Sequence, residues 1–179
     1  MHYPQSILVV SGAPGSGKST VAHALKDALP NFALLEKDQI KEALFDSLEH
    51  EERAAPDVSR KLSHIAMQVL WTLAPACPLV ILEANFRTKS EAERTHFATL
   101  PGRKLEIHCS CSLEEAARRF AARATTRHPV HTLRTASTEL LAEFDQPFGL
   151  GPMIEINTNL PIEIEELRGR VRVHWPEIE

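Results

Sequence analysis

Gly12-Ala13-Pro14-Gly15-Ser16-Gly17-Lys18-Ser19 stands between a short apolar run, Ile7 to Val10, and a stretch in which Val21, Ala24, Leu25, Ala28 and Leu29 recur at helical spacing. The octapeptide satisfies G-x-x-x-x-G-K-[ST], and its flanks supply the strand and the helix that this pattern requires. Glycines at these positions let successive backbone N–H groups turn inward as a nest, and the helix N-terminus adds positive potential at the same place. A polyphosphate is the ligand such a cradle suits. Lys18 is expected to bridge the β- and γ-phosphates, Ser19 to offer its hydroxyl to Mg²⁺, and Thr20 to face the inner phosphates. A turn that only joined strand to helix would need neither the lysine nor the hydroxyl. The dinucleotide pattern G-x-G-x-x-G fails, because Thr20 stands where its third glycine or alanine would fall, and this argues against nicotinamide or flavin.

Outward from this loop, strands and helices alternate. Ile7 to Val10 reads as a strand buried on both faces, and Pro30 stops the first helix. Ala33 to Glu36 is a short strand, and Asp38 is expected to cap a helix with the stripe Ile40, Ala43, Leu44 and Leu48. A polar break, Glu49 to Asp57, precedes a long helix carrying Leu62, Ile65, Ala66, Val69, Leu70 and Leu73. Leu79 to Leu82 is a second wholly apolar strand, and the loop Asn85-Phe86-Arg87 leads to a helix from about Ser90 to Thr99. Leu105, Ile107 and Cys109 mark a fourth strand. Ser112 with Glu115 then forms a capping box for a helix expected to run through Ala124. Met153 to Ile156 is a fifth strand, and a last helix follows from Pro161 to about Val173. Such alternation implies an α/β fold, a parallel sheet with helices on both faces. His128 to Gly151 is the least regular stretch and reads as a surface segment able to move.

The chain has 179 residues, 20 Lys+Arg against 24 Asp+Glu, 43% hydrophobic and 25% charged residues. This suits one domain over residues 1–179, able to bury roughly 70% of the surface its unfolded chain exposes. The net charge of −4 and the lack of a Lys/Arg block exclude the footprint of a general nucleic-acid binder. Cys77, Cys109 and Cys111 include no C-x-x-C pair, which fits a reducing compartment and packed thiols. The opening residues carry no basic n-region, and no apolar run reaches the roughly 20 residues of a membrane span. A cytoplasmic protein that does not engage membranes is the expectation.

Ligands of open parallel sheets bind beyond the carboxyl ends of strands. Asp38, past the second strand, is a candidate to accept the proton of an attacking hydroxyl, with a plain helix cap as the other reading. Glu83, past the third, is placed to reach magnesium through a water or to remain a strand-end charge. Arg87 either faces the transferred phosphate and substrate or lies on the surface. Arg119, Arg123 and Arg127 recur every four residues, each about 40° from the last on a helix, which makes either one cationic edge or a solvated face. That edge runs into Arg127-His128-Pro129-Val130-His131, so residues from about 119 to 134 suit a lid. Pro129 breaks any helix joining His128 to His131, and no Cys or carboxylate follows at ligand spacing, so zinc is not expected. Asn157-Thr158-Asn159 either meets a base or forms a plain turn, and Trp71 and Trp175 read as core anchors.

GAPGSGKST at 12–20, KDQIKEALF at 37–45, LVILEANFR at 79–87 and RRFAARATTRHPVH at 118–131 together resemble the small P-loop kinases grouped with bacterial AAA-type ATP-binding proteins. They are similar to polynucleotide 5′-kinase, zeta-toxin, gluconate kinase and chloramphenicol phosphotransferase domains. The resemblance implies a P-loop NTPase fold whose five parallel strands run in the order 2-3-1-4-5. It makes ATP and Mg²⁺ the expected cofactors. It implies catalytic roles for Lys18, Asp38, Arg119 and Arg123, with Arg127 as a further lid arginine, and a metal contact for Ser19; the reading of the strand ends adds Glu83 at the metal and Arg87, with Asp38 and Arg127, at the substrate. The sequence departs from the pattern in carrying Glu83 where many relatives have Asp, and in having Asp38 as the single acid after the second strand where several have two.

Three functions follow as expectations. The first is transfer of the γ-phosphoryl group to a hydroxyl of a small molecule. The second, a polynucleotide 5′-hydroxyl kinase, is weakened by the acidic balance, since a strand-binding groove needs clustered cations. The third is a nucleotide-binding regulatory ATPase. A guanine switch is excluded by the absence of N-K-x-D.

Overall fold

The computed structural model describes residues 5–177. Five strands, β1 (Ser6–Ser11), β2 (Ala33–Glu36), β3 (Leu79–Glu83), β4 (Arg103–Ser110) and β5 (Met153–Asn157), form one sheet in the order β2-β3-β1-β4-β5. Every pairing is parallel. Eight helices accompany them: α1 (Lys18–Ala28), α2 (Lys37–Asp46), α3 (His50–Arg53), α4 (Val58–Leu73), α5 (Glu91–Thr99), α6 (Leu113–Ala122), α7 (Thr138–Ala142) and α8 (Ile164–His174). The alternating pattern predicts the parallel sheet, and the strand order is the one the family resemblance implies.

β1 lies at the centre because all six of its residues are buried, which only a strand covered on both faces requires. Leu8 and Val10 pack on α1 and α8, where Trp175 stacks on Phe32. Ile7 and Val9 face the other way, onto Leu70 and Trp71 of α4 and Phe97 of α5. Cys109 lies wholly inside the first of these layers, and burial pushes its thiol up to about 12, far from any nucleophilic role. No helix among the described residues is long and apolar enough to cross a membrane.

Three local expectations are corrected. α2 follows β2 with no residue between them, so its N-cap is Glu36 and Asp38 lies inside the first turn. Ser112 caps α6 as expected, accepting from Glu115 N at 3.2 Å, but the helix ends at Ala122 rather than Ala124. The stretch 128–151 is not a loose surface segment: it contains α7, and Val130, Leu141, Phe144 and Phe148 are buried along it. It is fastened to the sheet by Glu106 of β4, whose Oε1 accepts from Phe148 N at 2.9 Å and from Ser11 Oγ at 2.7 Å.

Candidate functional site

The loop between β1 and α1 is held in a shape that only glycine permits at two of its positions. Gly12 and Gly15 have φ of +137° and +90°, and a Cβ on either would collide with a backbone carbonyl, of Cys109 and Ala116 respectively. Ser16 N closes the turn onto Ala13 O at 3.0 Å. Lys18 opens α1, curls back and donates from Nζ to Ala13 O at 3.0 Å, with Glu83 Oε1 at 3.9 Å. Burial lowers its pKa, against the opposing pull of Glu83. The loop fits a polyphosphate: the backbone is pinched where side chains are forbidden, and buried Ser16 Oγ has no hydrogen-bond partner among the described residues. Pro14, Gly15, Lys18 and Ser19 line the adjoining cavity, whereas Thr20 is exposed outside it.

That cavity, about 710 Å³, is bounded by the loop, α2, α4, the segment after β3 and the lid. Glu83 and Glu36 enter it from strand ends in direct register, both buried. Burial raises the Glu83 pKa to about 6, with Lys18 pulling the other way and Asp38 and Glu36 adding to the rise. Glu36 is likewise raised by burial, against the effect of His23, whose Nε2 lies 3.0 Å from its Oε1. Mg²⁺ commonly takes one or two protein carboxylates and completes its shell with water and phosphate oxygens. The Ser19 hydroxyl and the Glu83 carboxylate, both at the cavity wall, suit that donor set.

Like Glu42, Asp38 lines this space from α2. Burial alone would raise its pKa, but Lys37, His131 and Lys18 outweigh burial and hold it at about 2. Lys37 Nζ donates to Oδ1 at 3.0 Å, and Arg127 Nη2 stands 3.9 Å from Oδ2. Sequence reasoning missed Lys37, Lys41, Glu42 and His131. Lys37, Asp38, Lys41 and Glu42 are nevertheless spaced four apart in pairs, the signature of one charged helix face.

The three arginines do not share one helical edge, because α6 stops before the second of them. Arg119 turns away from the cavity: its Nε meets Glu115 Oε1 at 2.6 Å and its Nη2 donates to Thr158 O at 3.1 Å. Arg123, at the C-cap, is exposed and lines the cavity, as does half-buried Arg127, whose guanidinium lies 4.7 Å from the Phe120 ring centre. Arg87 is at the rim, exposed, 3.9 Å from Glu143 and over Phe144. The segment after α6 rests on α2 through two histidines, His128 Nε2 at 3.1 Å from Asp46 Oδ1 and His131 Nε2 at 2.7 Å from Glu42 Oε1. Asn157-Thr158-Asn159 is more than a turn, for Thr158 Oγ1 donates to Ser16 O at 2.7 Å and so braces the phosphate loop.

Comparison with known proteins agrees with this architecture. A kinase candidate from Chloroflexus aurantiacus is 28% identical, with a TM-score of 0.79 over 96% of this chain and 98% of its own. A gluconokinase from Sinorhizobium meliloti superposes with a TM-score of 0.59 at 17% identity, over 98% of this chain and 99% of its own. A shikimate kinase from Acinetobacter baumannii, solved with shikimate, gives 0.56 at 16% identity, over 99% and 96%. No curated protein sequence matches the chain. The AAA domain profile matches residues 7–147, from β1 through the lid to the end of the α7 region, and the chain therefore belongs to the AAA domain family, with the fold of the small P-loop kinases.

Proposed function

We propose that the protein is an ATP- and Mg²⁺-dependent phosphotransferase that moves the γ-phosphoryl group to a hydroxyl of a small molecule. The observation that carries this reading is that Lys18 of the phosphate loop and Asp38 of α2 line one cavity, so a nucleotide and an acceptor can meet there. Lys18 and the lid residues Arg123 and Arg127 supply positive charge where the transferred group develops negative charge, and the loop residues 12–19 hold the nucleotide. Ser19 would hold the metal directly and Glu83 through a water. Mg²⁺, when bound, would supply positive charge that offsets the negative charge of the polyphosphate.

The acceptor oxygen attacks the γ-phosphorus, the bond to the β-phosphate oxygen breaks, and the acceptor proton passes to Asp38. With a pKa near 2, Asp38 is a weak base in the resting site. It acts first by accepting the hydroxyl hydrogen bond and so orienting the attack, and it takes the proton late, when the new P–O bond has acidified that hydroxyl. A cavity of about 710 Å³ roofed by a docked lid favours a small acceptor over a polynucleotide strand and limits loss of the phosphoryl group to water.

ATP consumption with Mg²⁺, followed across nucleosides, sugars, sugar acids, aminoglycosides and a 5′-hydroxyl oligonucleotide, tests the reading, with Asp38→Asn as control. One acceptor should raise turnover well above the water background, and Asp38→Asn should lose that rise while keeping ATP affinity. ATP binding without stimulation by any acceptor would favour a regulatory ATPase instead.

A further inference from the structure

The proposed reaction uses neither lysine of α2: Lys37 is paired with Asp38, and Lys41 is left. It is 4% exposed, lines the cavity, and donates from Nζ to Ser59 Oγ of α4 at 2.9 Å. Among the described residues no carboxylate lies within ion-pair distance of it, because the neighbouring acids are engaged elsewhere. Asp38 is held by Lys37 and Arg127, and Glu42 is held by His131. A buried ammonium with no carboxylate in direct contact is disfavoured, and burial, helped by Lys37 and opposed by Asp38 and Glu42, lowers its pKa to about 8. A lysine kept under such strain in the wall of a substrate cavity has the properties of an anion site whose anion arrives with the ligand.

Ser63, one turn beyond Ser59 on α4, lines the same wall. One ammonium and two hydroxyls match the single charge and two oxygens of a carboxylate. Asp38 and Lys41 are three residues apart on one helix, about 4.5 Å along its axis, which sets the span between the reacting hydroxyl and the anion at a few ångströms. We propose that the acceptor is a small hydroxy acid, its carboxylate held by Lys41, Ser59 and Ser63 while its hydroxyl is presented to Asp38. This rests on the phosphotransferase reading above and specifies its substrate class.

The test compares aldonic acids of four to six carbons with the alditols of the same length and with alditol phosphates. Wild-type ADP release should show kcat/KM for the best acid about 30-fold or more above its alditol. In Lys41→Met that ratio should fall towards one, and in Lys41→Arg it should largely persist. An alditol or an alditol phosphate used as well as the acid by the wild type overturns the proposal without any variant. So does an equal loss for acid and alditol in Lys41→Met. Calorimetric titration of the acids into protein loaded with a non-hydrolysable ATP analogue separates the two readings. Binding that requires Lys41 without transfer overturns the phosphotransferase and leaves the anion site standing, whereas transfer to neutral alcohols alone does the reverse. The absence of both binding and use, for every acid, overturns the proposal.

Discussion

His131 Nε2 lies 2.7 Å from Glu42 Oε1, joining the lid to α2 across 89 residues of sequence. Burial lowers the His131 pKa, against the pull of Asp38 and Glu42, so near neutrality the imidazole is uncharged and donates its proton to the carboxylate. Its folded pKa lies below the ordinary 6.5, so the stability it contributes is present above that value and declines as pH falls through it. His131→Ala should cost about 1 kcal/mol, the net worth of a hydrogen bond to a charged, partly exposed partner. Hydrogen exchange should quicken across 127–134 with little change in the sheet. Unchanged protection there would mean that the lid is held by other contacts.

Glu83 gives the opposite sign. Its pKa is raised to about 6 from 4.5, so the stability linked to its proton is complete below 4.5 and is lost as pH rises through 6. Glu83→Gln should therefore stabilise the ligand-free protein at pH 7 by up to about 2 kcal/mol, less whatever Lys18 loses with its partner. Denaturant melts between pH 4.5 and 7.5 should show a downward slope in the wild type that the variant lacks. The same substitution should weaken Mg²⁺-dependent turnover, and equal slopes in both proteins would reject the raised pKa.

Arg119 and Arg123 should separate kinetically. Arg123 faces the cavity, and Arg123→Ala should lower kcat by about 10²-fold or more with little effect on melting. Arg119 is tied to Glu115 and Thr158 instead, so Arg119→Ala should cost about 1 kcal/mol of stability and raise KM for ATP a few-fold. Steady-state kinetics on both variants checks this. A kcat loss in Arg119→Ala matching that of Arg123→Ala would return Arg119 to the reaction centre.

Thr158→Val keeps shape and burial but removes the hydroxyl that donates to Ser16 O. A buried carbonyl left without its donor costs about 1–3 kcal/mol, and the disturbance falls on the phosphate loop. ATP affinity, measured by titration, should fall while the preference among acceptors is unchanged. Affinity equal to wild type would show that the loop keeps its shape without this brace.

The elements that read well from the sequence are those fixed by local rules. Ile7 to Val10 and Leu79 to Leu82 announce strands buried on both faces, and the glycines and Lys18 announce the loop between them. Ser112 and Glu115 announce the start of α6, but its end was misread, because Arg119, Arg123 and Arg127 keep helical spacing past the point where the backbone leaves the helix at Ala122. Phe144 and Phe148 carry no period that could mark 128–151 as docked, and the tie through Glu106 to Phe148 N spans 42 residues. The same holds for the site. Lys18, Ser19, Asp38 and Glu83 are legible from a loop pattern and from strand ends. His131 on Glu42, Arg119 on Thr158 and Lys41 on Ser59 are contacts between separate segments, which no local spacing encodes.

The bond from Thr158 to Ser16 joins residues 142 apart, so the early-made phosphate loop is braced by the residue that follows the last described strand. During synthesis at roughly 5–20 residues per second, the phosphate loop waits about 7 to 30 s for its brace. Nascent chains halted before β5 would carry the whole loop sequence yet hold it unsupported. Nucleotide capture is therefore a late acquisition of the growing polypeptide, arriving with the closing edge of the sheet rather than with the motif itself.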